Sequence, residues 1–274
     1  NMSDAPSIAT TPPMPMADRE TLLGIPIMRV YQGLSIVLVF VAWEIAGLVP
    51  ISIAFPTFTG TMRALFEMLV DGRLFYAYAE TLKPLVVGIV ISGTFGVIIG
   101  IAMGLNKTAQ WFWEPIFVVL QASPVAALIP LITYAYGIGL TAKTVAVIML
   151  AAPIIVLNTY KAVRHASPSL IEMCRSFQGT RFQEIWMVIV PNAAPVIFAG
   201  LRLGVAAGFI GVILAELLIT PTGVGDLISY NRSIADYEYM YAAVFTVILF
   251  SAILVGFLET VEVNYFRPEK KKGQ

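Results

Sequence analysis

Six long apolar runs, separated by short polar stretches, set the pattern of this chain. They cover roughly 30–49, 82–105, 111–136, 144–160, 192–219 and 241–261. Crossing a hydrocarbon core in helical form takes roughly 20 apolar residues, so each run is predicted to be one membrane span. Pro124 and Pro130 are expected to bend the third, which neighbouring helices tolerate. Between the first two runs, residues 57–70 place Phe58, Met62, Leu65, Phe66 and Leu69 on one helical face. That spacing predicts an amphipathic helix lying at the outer surface or covering a neighbouring span. The first 26 residues are rich in Pro, Ser and Thr without an apolar core. They read as a disordered tail rather than a signal peptide. A basic tail closes the chain at 267–274, leaving one membrane domain over 27–266.

A polar connection of about 30 residues, 161–191, lies between the fourth and fifth runs. Ser167-Pro168 is a good helix start, with a hydroxyl to cap orphan amides and a proline in the first turn. Ser169 and Glu172 offer a competing capping box. Leu170, Ile171, Cys174 and Phe177 then share a face, and Gly179 is expected to end the helix. A second short helix follows, with Phe182, Ile185, Trp186 and Ile189 at helical spacing, and Pro191 is expected to turn the chain into the next span. Two short helices with one oily side fit either a hairpin resting on lipid headgroups or a protein-docking element.

Composition sharpens this picture. Hydrophobic residues make up 58% of the 274 positions and charged residues 12%, about half the charge of an ordinary globular chain. The expectation is an all-α polytopic integral membrane protein. Net charge is zero, so no polyanionic partner such as nucleic acid is indicated. With the N-terminus placed inside, Arg19, Arg29, Lys107, Lys161, Arg164, Arg175, Arg181, Arg267 and Lys270 to Lys272 fall on the cytoplasmic side. Arg63, Arg73, Lys83, Lys143 and Arg232 fall outside. That bias of about two to one follows the positive-inside rule and puts both termini in the cytoplasm. The 161–191 segment is then cytoplasmic as well.

Glu172-Met-Cys-Arg-Ser-Phe-Gln-Gly179, continuing to Val188-Ile-Val-Pro191, resembles the "EAA" cytoplasmic loop of ABC importer permeases. Met173 and Cys174 replace that loop's alanines. Gln178 stands where its glycine is expected, with Gly179 one place later, and Val188 and Val190 replace an isoleucine and a leucine. Residues 157–164, 199–204 and 211–216 are similar to the nitrate, sulfonate, taurine and bicarbonate branch, and the similarity runs in order over 30–261. The resemblance implies a type I importer permease fold and a homodimer in the bacterial inner membrane. It also implies two cytoplasmic ATPase subunits, which bind the ATP and Mg, and an external substrate-binding protein. This chain itself would then be no enzyme and hold no cofactor. On that resemblance Ser167, Leu170, Ile171, Glu172, Arg175, Phe177, Gly179, Trp186 and Pro191 form the ATPase-coupling surface. Glu172 either supports its own helix start or touches the partner. The cargo would be a small anion such as a sulfonate, taurine, nitrate, bicarbonate or a carboxylate.

A few residues stand out within the spans. Arg202 lies about 15 Å along the helix from Pro191, where an unpaired charge is costly. It could offer an anion a stop, or pair with Glu44 or Glu216. Glu216 suits pairing or gating better than anion binding. Gln121, Ser123, Thr133 and Tyr134 flank the prolines of the third span and could line a wet path. Gly200, Gly204 and Gly208 recur every fourth residue and allow close helix approach, within the protomer or at a dimer seam. The run from Gly100 to Thr108 has the wrong spacing for a phosphate loop. No metal site is expected: His165 is the sole histidine, and Cys174 reads as a small apolar residue. An ATP-independent transporter or channel would need mid-membrane carboxylates, for which Glu44 is the candidate. An intramembrane enzyme would need clustered His, Asp or Cys.

Overall fold

The computed structural model describes residues 21–22, 25–49, 54–219 and 221–266, and the chain divides into two compact units, 1–59 and 60–274. In the first unit Thr21–Leu22 (β1) pairs antiparallel with Ile25–Pro26 (β2) and leads into Ile27–Leu48 (α1). The rest of the expected N-terminal tail, and the basic tail at 267–274, lie outside the described residues. Beyond α1 the chain folds back on it. Phe40 stacks on Phe58 with ring centroids 4.6 Å apart, and Trp43 Nε1 donates to Pro56 O at 3.1 Å. Glu44 Oε2 accepts the Thr59 N–H at 2.9 Å. This carboxylate is therefore engaged by an orphan amide at the start of the next helix.

The second unit continues that helix, Phe58–Val70 (α2), and adds Arg73–Leu105 (α3), Lys107–Ala122 (α4), Val125–Tyr136 (α5) and Leu140–Arg164 (α6). Pro168–Ser176 (α7), Arg181–Gln183 (α8), Val190–Leu218 (α9), Val224–Ser233 (α10) and Tyr237–Phe266 (α11) complete it. Among the described residues, five helices are long and apolar enough to cross a membrane, and the bent pair α4–α5 makes a sixth crossing if counted as one. The side chains that α3 turns outward, among them Phe75, Val86, Val90, Phe95 and Ile98, are large and apolar. A surface like that is stable only against lipid or protein.

Two expectations are corrected here. The third run is not one bowed helix, because α4 and α5 meet at 103°. Pro124 forces Ser123 into an extended conformation, which breaks the helix there, whereas Pro130 sits inside α5 without interrupting it. The buried face of α2 is Thr61, Ala64 and Met68, while Phe66 and Leu69 point outward. Small Ala64 meets Ala242 and Ala243 of α11, so close approach selects the small side chains for the inside. The stretch after the fifth run contains α10.

α6 is the centre of the unit, lying between α3 and α9. Ala146, Val147, Ala151, Ile155 and Val156 on it are wholly buried. Both neighbours approach through glycine. A Cβ at Gly100 of α3 would stand 2.5 Å from Thr159 Cβ, and one at Gly204 of α9 would stand 2.4 Å from Ile155 Cγ1. Gly200 meets Asn158, and Gly208 meets Val147 together with Ile89. The α9 glycines therefore serve packing within the chain. A matching series on α3, Gly88, Ser92, Gly96, Gly100 and Gly104, carries the other side of the seam.

Candidate functional site

Residues 165–189 join one end of α6 to one end of α9; this end is called proximal, and the other distal. Ser167 precedes α7 and Pro168 opens it, as the sequence predicts, but the Ser167 hydroxyl pairs with Ser169 Oγ at 2.9 Å instead of capping an amide. The Ser167 N–H reaches Asn192 Oδ1 at 3.3 Å and ties the start of α7 to α9. Because α7 already runs from Pro168, Ser169 lies inside it and forms no capping box. Glu172 is exposed and lies past the first turn, so it does not support the helix start.

The end of α7 departs from expectation in an informative way. Gln178, not Gly179, takes the left-handed conformation, with φ of 56°. Its N–H bonds Arg175 O at 2.9 Å, and the Gly179 N–H bonds Cys174 O at 2.9 Å. These two bonds make a Schellman cap with glutamine in the glycine position. Gly179 is needed for space rather than for its backbone angle, since a Cβ there would meet Cys174 Sγ at 2.5 Å. The next helix starts on a true capping box, in which the Thr180 side chain accepts the Gln183 N–H and Gln183 Oε1 accepts the Thr180 N–H. The Thr-x-x-Gln spacing of Thr180 and Gln183 is the sequence signature of this box.

From Arg181 the chain is helical without interruption to Leu218, through a π-helical turn at Glu184–Ile189. Pro191 is therefore not a corner. A proline ring crowds the carbonyl four residues earlier; that residue is Met187, inside the widened π turn. The loop is braced by one buried carboxylate. Glu184 accepts Arg175 Nη2 at 3.0 Å and Arg175 Nε at 3.2 Å, with Arg181 Nη1 at 3.4 Å. The hydrogen bonds from Arg175 hold the Glu184 carboxyl below its usual range, with burial acting against them. Arg175 was singled out by resemblance, whereas its partner Glu184 was not.

The single oily side expected of this loop resolves into two. Ile171, Ile185 and Ile189 pack inward on Ala162, Val163, Ala166, Ala193 and Ile197. Phe177, Phe182, Trp186, Met173 and Met187 point outward, Phe177 being 81% exposed. The rings of Phe182 and Trp186 lie 6.3 Å apart. Leu170 is borderline, and Cys174 is half-buried against Gly179. Exposed aromatics and methionines on a braced loop form an apolar patch of the kind that marks a protein or membrane contact.

At the distal end a second polar group is buried. Lys143, on the first turn of α6, is 3% exposed, and its Nζ meets Glu216 Oε1 at 2.8 Å, Thr222 O at 3.0 Å and Thr222 Oγ1 at 2.9 Å. Glu216 near the end of α9 also accepts Thr81 Oγ1 from α3 and the Gly225 N–H at 3.1 Å. Thr81 Oγ1 in turn accepts the Val224 N–H at 3.0 Å. Gly223 has φ of 95°, and a Cβ there would lie 2.0 Å from the Glu216 carboxylate. Pairing, one of the roles expected of Glu216, is thus its geometry, but the partner is Lys143, which the sequence placed in an outer loop.

The remaining pathway candidates are held separately. Arg202 lies 3.1 Å from Glu262 and 3.6 Å from Glu259, both on α11, while Glu216 is paired with Lys143 instead. Ser123 Oγ donates to Val119 O at 2.8 Å, closing the end of α4. Gln121 is exposed, and Tyr134 on α5 is 91% exposed. His165 Nδ1 lies 2.8 Å from Lys161 O, at the end of α6.

Comparison with known proteins agrees with this arrangement. Residues 92–263 match the family described as binding-protein-dependent transport system inner membrane component. The taurine transport system permease protein TauC of Escherichia coli (strain K12) is 26% identical over 231 residues, covering 81% of this chain and 83% of TauC. The putative aliphatic sulfonates transport permease protein SsuC of Bacillus subtilis (strain 168) is 25% identical, covering 84% of this chain and 85% of SsuC. In fold, the chain superposes on the inward-facing MetNI methionine ABC transporter with a TM-score of 0.58 at 20% identity, over 72% of this chain and 98% of that one. The chain belongs to the binding-protein-dependent transport system inner membrane components, and is the multi-pass permease subunit of an ATP-driven ABC importer.

Proposed function

We propose that this permease carries a small anion, a sulfonate such as taurine in the first instance, across a bacterial inner membrane. Two copies form the pore, both termini lie in the cytoplasm, and an ATPase subunit docks on residues 165–189 of each copy. A binding protein delivers cargo at the distal end, and ATP and Mg are held by the ATPase. The observation that carries this reading is the exposed Phe177, Phe182 and Trp186 face on a loop braced by Arg175 and Glu184. Such a face needs a partner, and its bracing lets a partner's push reach α6 and α9 without being lost in loop motion. The sulfonate assignment rests on the names of two relatives.

The test is co-purification from membranes followed by uptake. An ATPase should copurify with the chain, and Trp186→Glu should abolish that association while insertion is unchanged, since it puts charge on the outward face alone. Undiminished ATPase recovery with Trp186→Glu would reject the docking face. Vesicles holding the complex and its binding protein should accumulate labelled taurine or ethanesulfonate on ATP addition. Accumulation of nitrate alone would move the cargo to inorganic anions.

A further inference from the structure

The buried pair Lys143–Glu216 sits at the far ends of the two helices whose near ends are joined by 165–189. α6 and α9 are locked along their length, because Gly200, Gly204 and Gly211 bring α9 against Asn158, Ile155 and the Ala146 carbonyl. Two helices packed that closely move as one body rather than sliding. The pair then reaches beyond them. Lys143 holds Thr222 by its carbonyl and its hydroxyl, Glu216 holds the Gly225 amide, and Thr81 holds the Val224 amide. Four ties therefore fix the turn that leads into α10.

We propose that this ion pair is the outer clasp of a lever, making the turn 222–225 and α10 follow α6 and α9 when an ATPase displaces 165–189. A buried ion pair adds little to stability over well-packed neutral residues, whereas the four ties it organises fix the turn in place. The turn also forms one wall of an open cavity of about 360 Å³, in which Thr222, Gly223 and Asp226 face Asp71, Arg73 and Tyr76. Moving the clasped wall reshapes this notch on the side where cargo arrives. The proposal rests on ATP-driven displacement of the loop, and Lys143 and Glu216 act in it as positioning residues.

The experiment uses the permease copurified with its ATPase in nanodiscs, with Cys174→Ser as background. Spin labels are placed at His165→Cys, on the proximal end of α6, or at exposed Tyr230→Cys on α10. Distances between the two copies are compared without nucleotide and after trapping with ATP and vanadate. Both label pairs should shift in the chain with an intact clasp. In Lys143→Met/Glu216→Gln, which leaves no lone buried charge, the His165 pair should still shift and the Tyr230 pair should not. An unchanged Tyr230 shift in that double variant would overturn the clasp. So would failure of the double variant to assemble with the ATPase, which would make the pair a folding requirement. Absence of any His165 shift with the clasp intact would instead defeat ATP-driven loop displacement itself, and the clasp with it.

Discussion

Gln178 holds a left-handed conformation that costs a non-glycine residue about 1–2 kcal/mol, and it does so to close α7 with two capping bonds. Gln178→Gly should therefore stabilise the loop by about 1 kcal/mol. Hydrogen exchange of the α7 amides should slow, and unchanged or faster exchange would mean that the glutamine side chain contributes more than its backbone costs. Gly179 gives the opposite case, because any side chain there collides with Cys174. The sequence placed the helix stop on Gly179 because glycine is the usual left-handed residue; the actual stop lies one position earlier, where the family resemblance expects it. Glu184 gives a prediction in pH. Its folded-state pKa lies below the ordinary glutamate value of about 4.3, so the stability it contributes is complete above that value and is lost as pH falls through the lower, folded value. The exchange rates of α7 in wild type and Glu184→Gln should thus differ by a constant ratio from pH 8 to pH 5 and converge in stronger acid. A ratio already changing between pH 7 and pH 6 would contradict the assignment of Arg175 as the controlling partner.

At the scale of elements, the π turn converts a proline into part of a continuous helix, so α7, the loop brace and α9 form one connected piece. That continuity was not legible in the sequence, since Pro191 before a long apolar run reads as a boundary and a π turn has no signature of its own. The long spans themselves were legible, because lipid selects apolar residues around a whole helix. Charge pairs were not: Lys143 and Glu216 are 73 residues apart and meet only through packing. The α3 series of Gly88, Ser92, Gly96, Gly100 and Gly104 has the same four-residue period as the shorter α9 series. Arg202 was visible as an anomaly, but its partners on α11 were not. Fastened to Glu262 and Glu259, Arg202 is expected to act as a strut. Arg202→Ala would remove a charge partner from Glu262, whose side chain is only 5% exposed. It should lower the thermal midpoint of the purified complex and the uptake rate together, with the KM for cargo unchanged. A raised KM at an unchanged midpoint would instead make Arg202 a contact for the anion.

For the 60–274 unit as a whole, the decisive feature is a central helix held between two glycine-faced neighbours, with its polar anchors confined to the ends. In lipid the apolar effect gives helices no preference for each other over the surrounding chains, so close packing must supply the association. The seam should then respond to size in a way that can be compensated. At Gly204 the obstructing atoms are Ile155 Cγ1 and Cδ1, at 2.4 and 2.7 Å from a built Cβ, with the nearest backbone oxygen at 3.4 Å. Gly204→Ala alone should cost about 1–3 kcal/mol through overpacking, and Ile155→Ala alone about 2–5 kcal/mol through the cavity it leaves. Together the two changes relieve each other, so the double variant should be more stable than the sum of the single losses by at least about 1 kcal/mol. Gly100 differs, because its obstruction includes the Val156 carbonyl at 2.8 Å as well as Thr159. Gly100→Ala should not be rescued by Thr159→Ser, since no side-chain change removes a backbone oxygen. Thermal unfolding of the six variants in micelles checks both expectations. Strict additivity at the 204–155 pair would mean that α6 and α9 are not in direct contact there, and that the seam does not join the proximal loop to the distal pair.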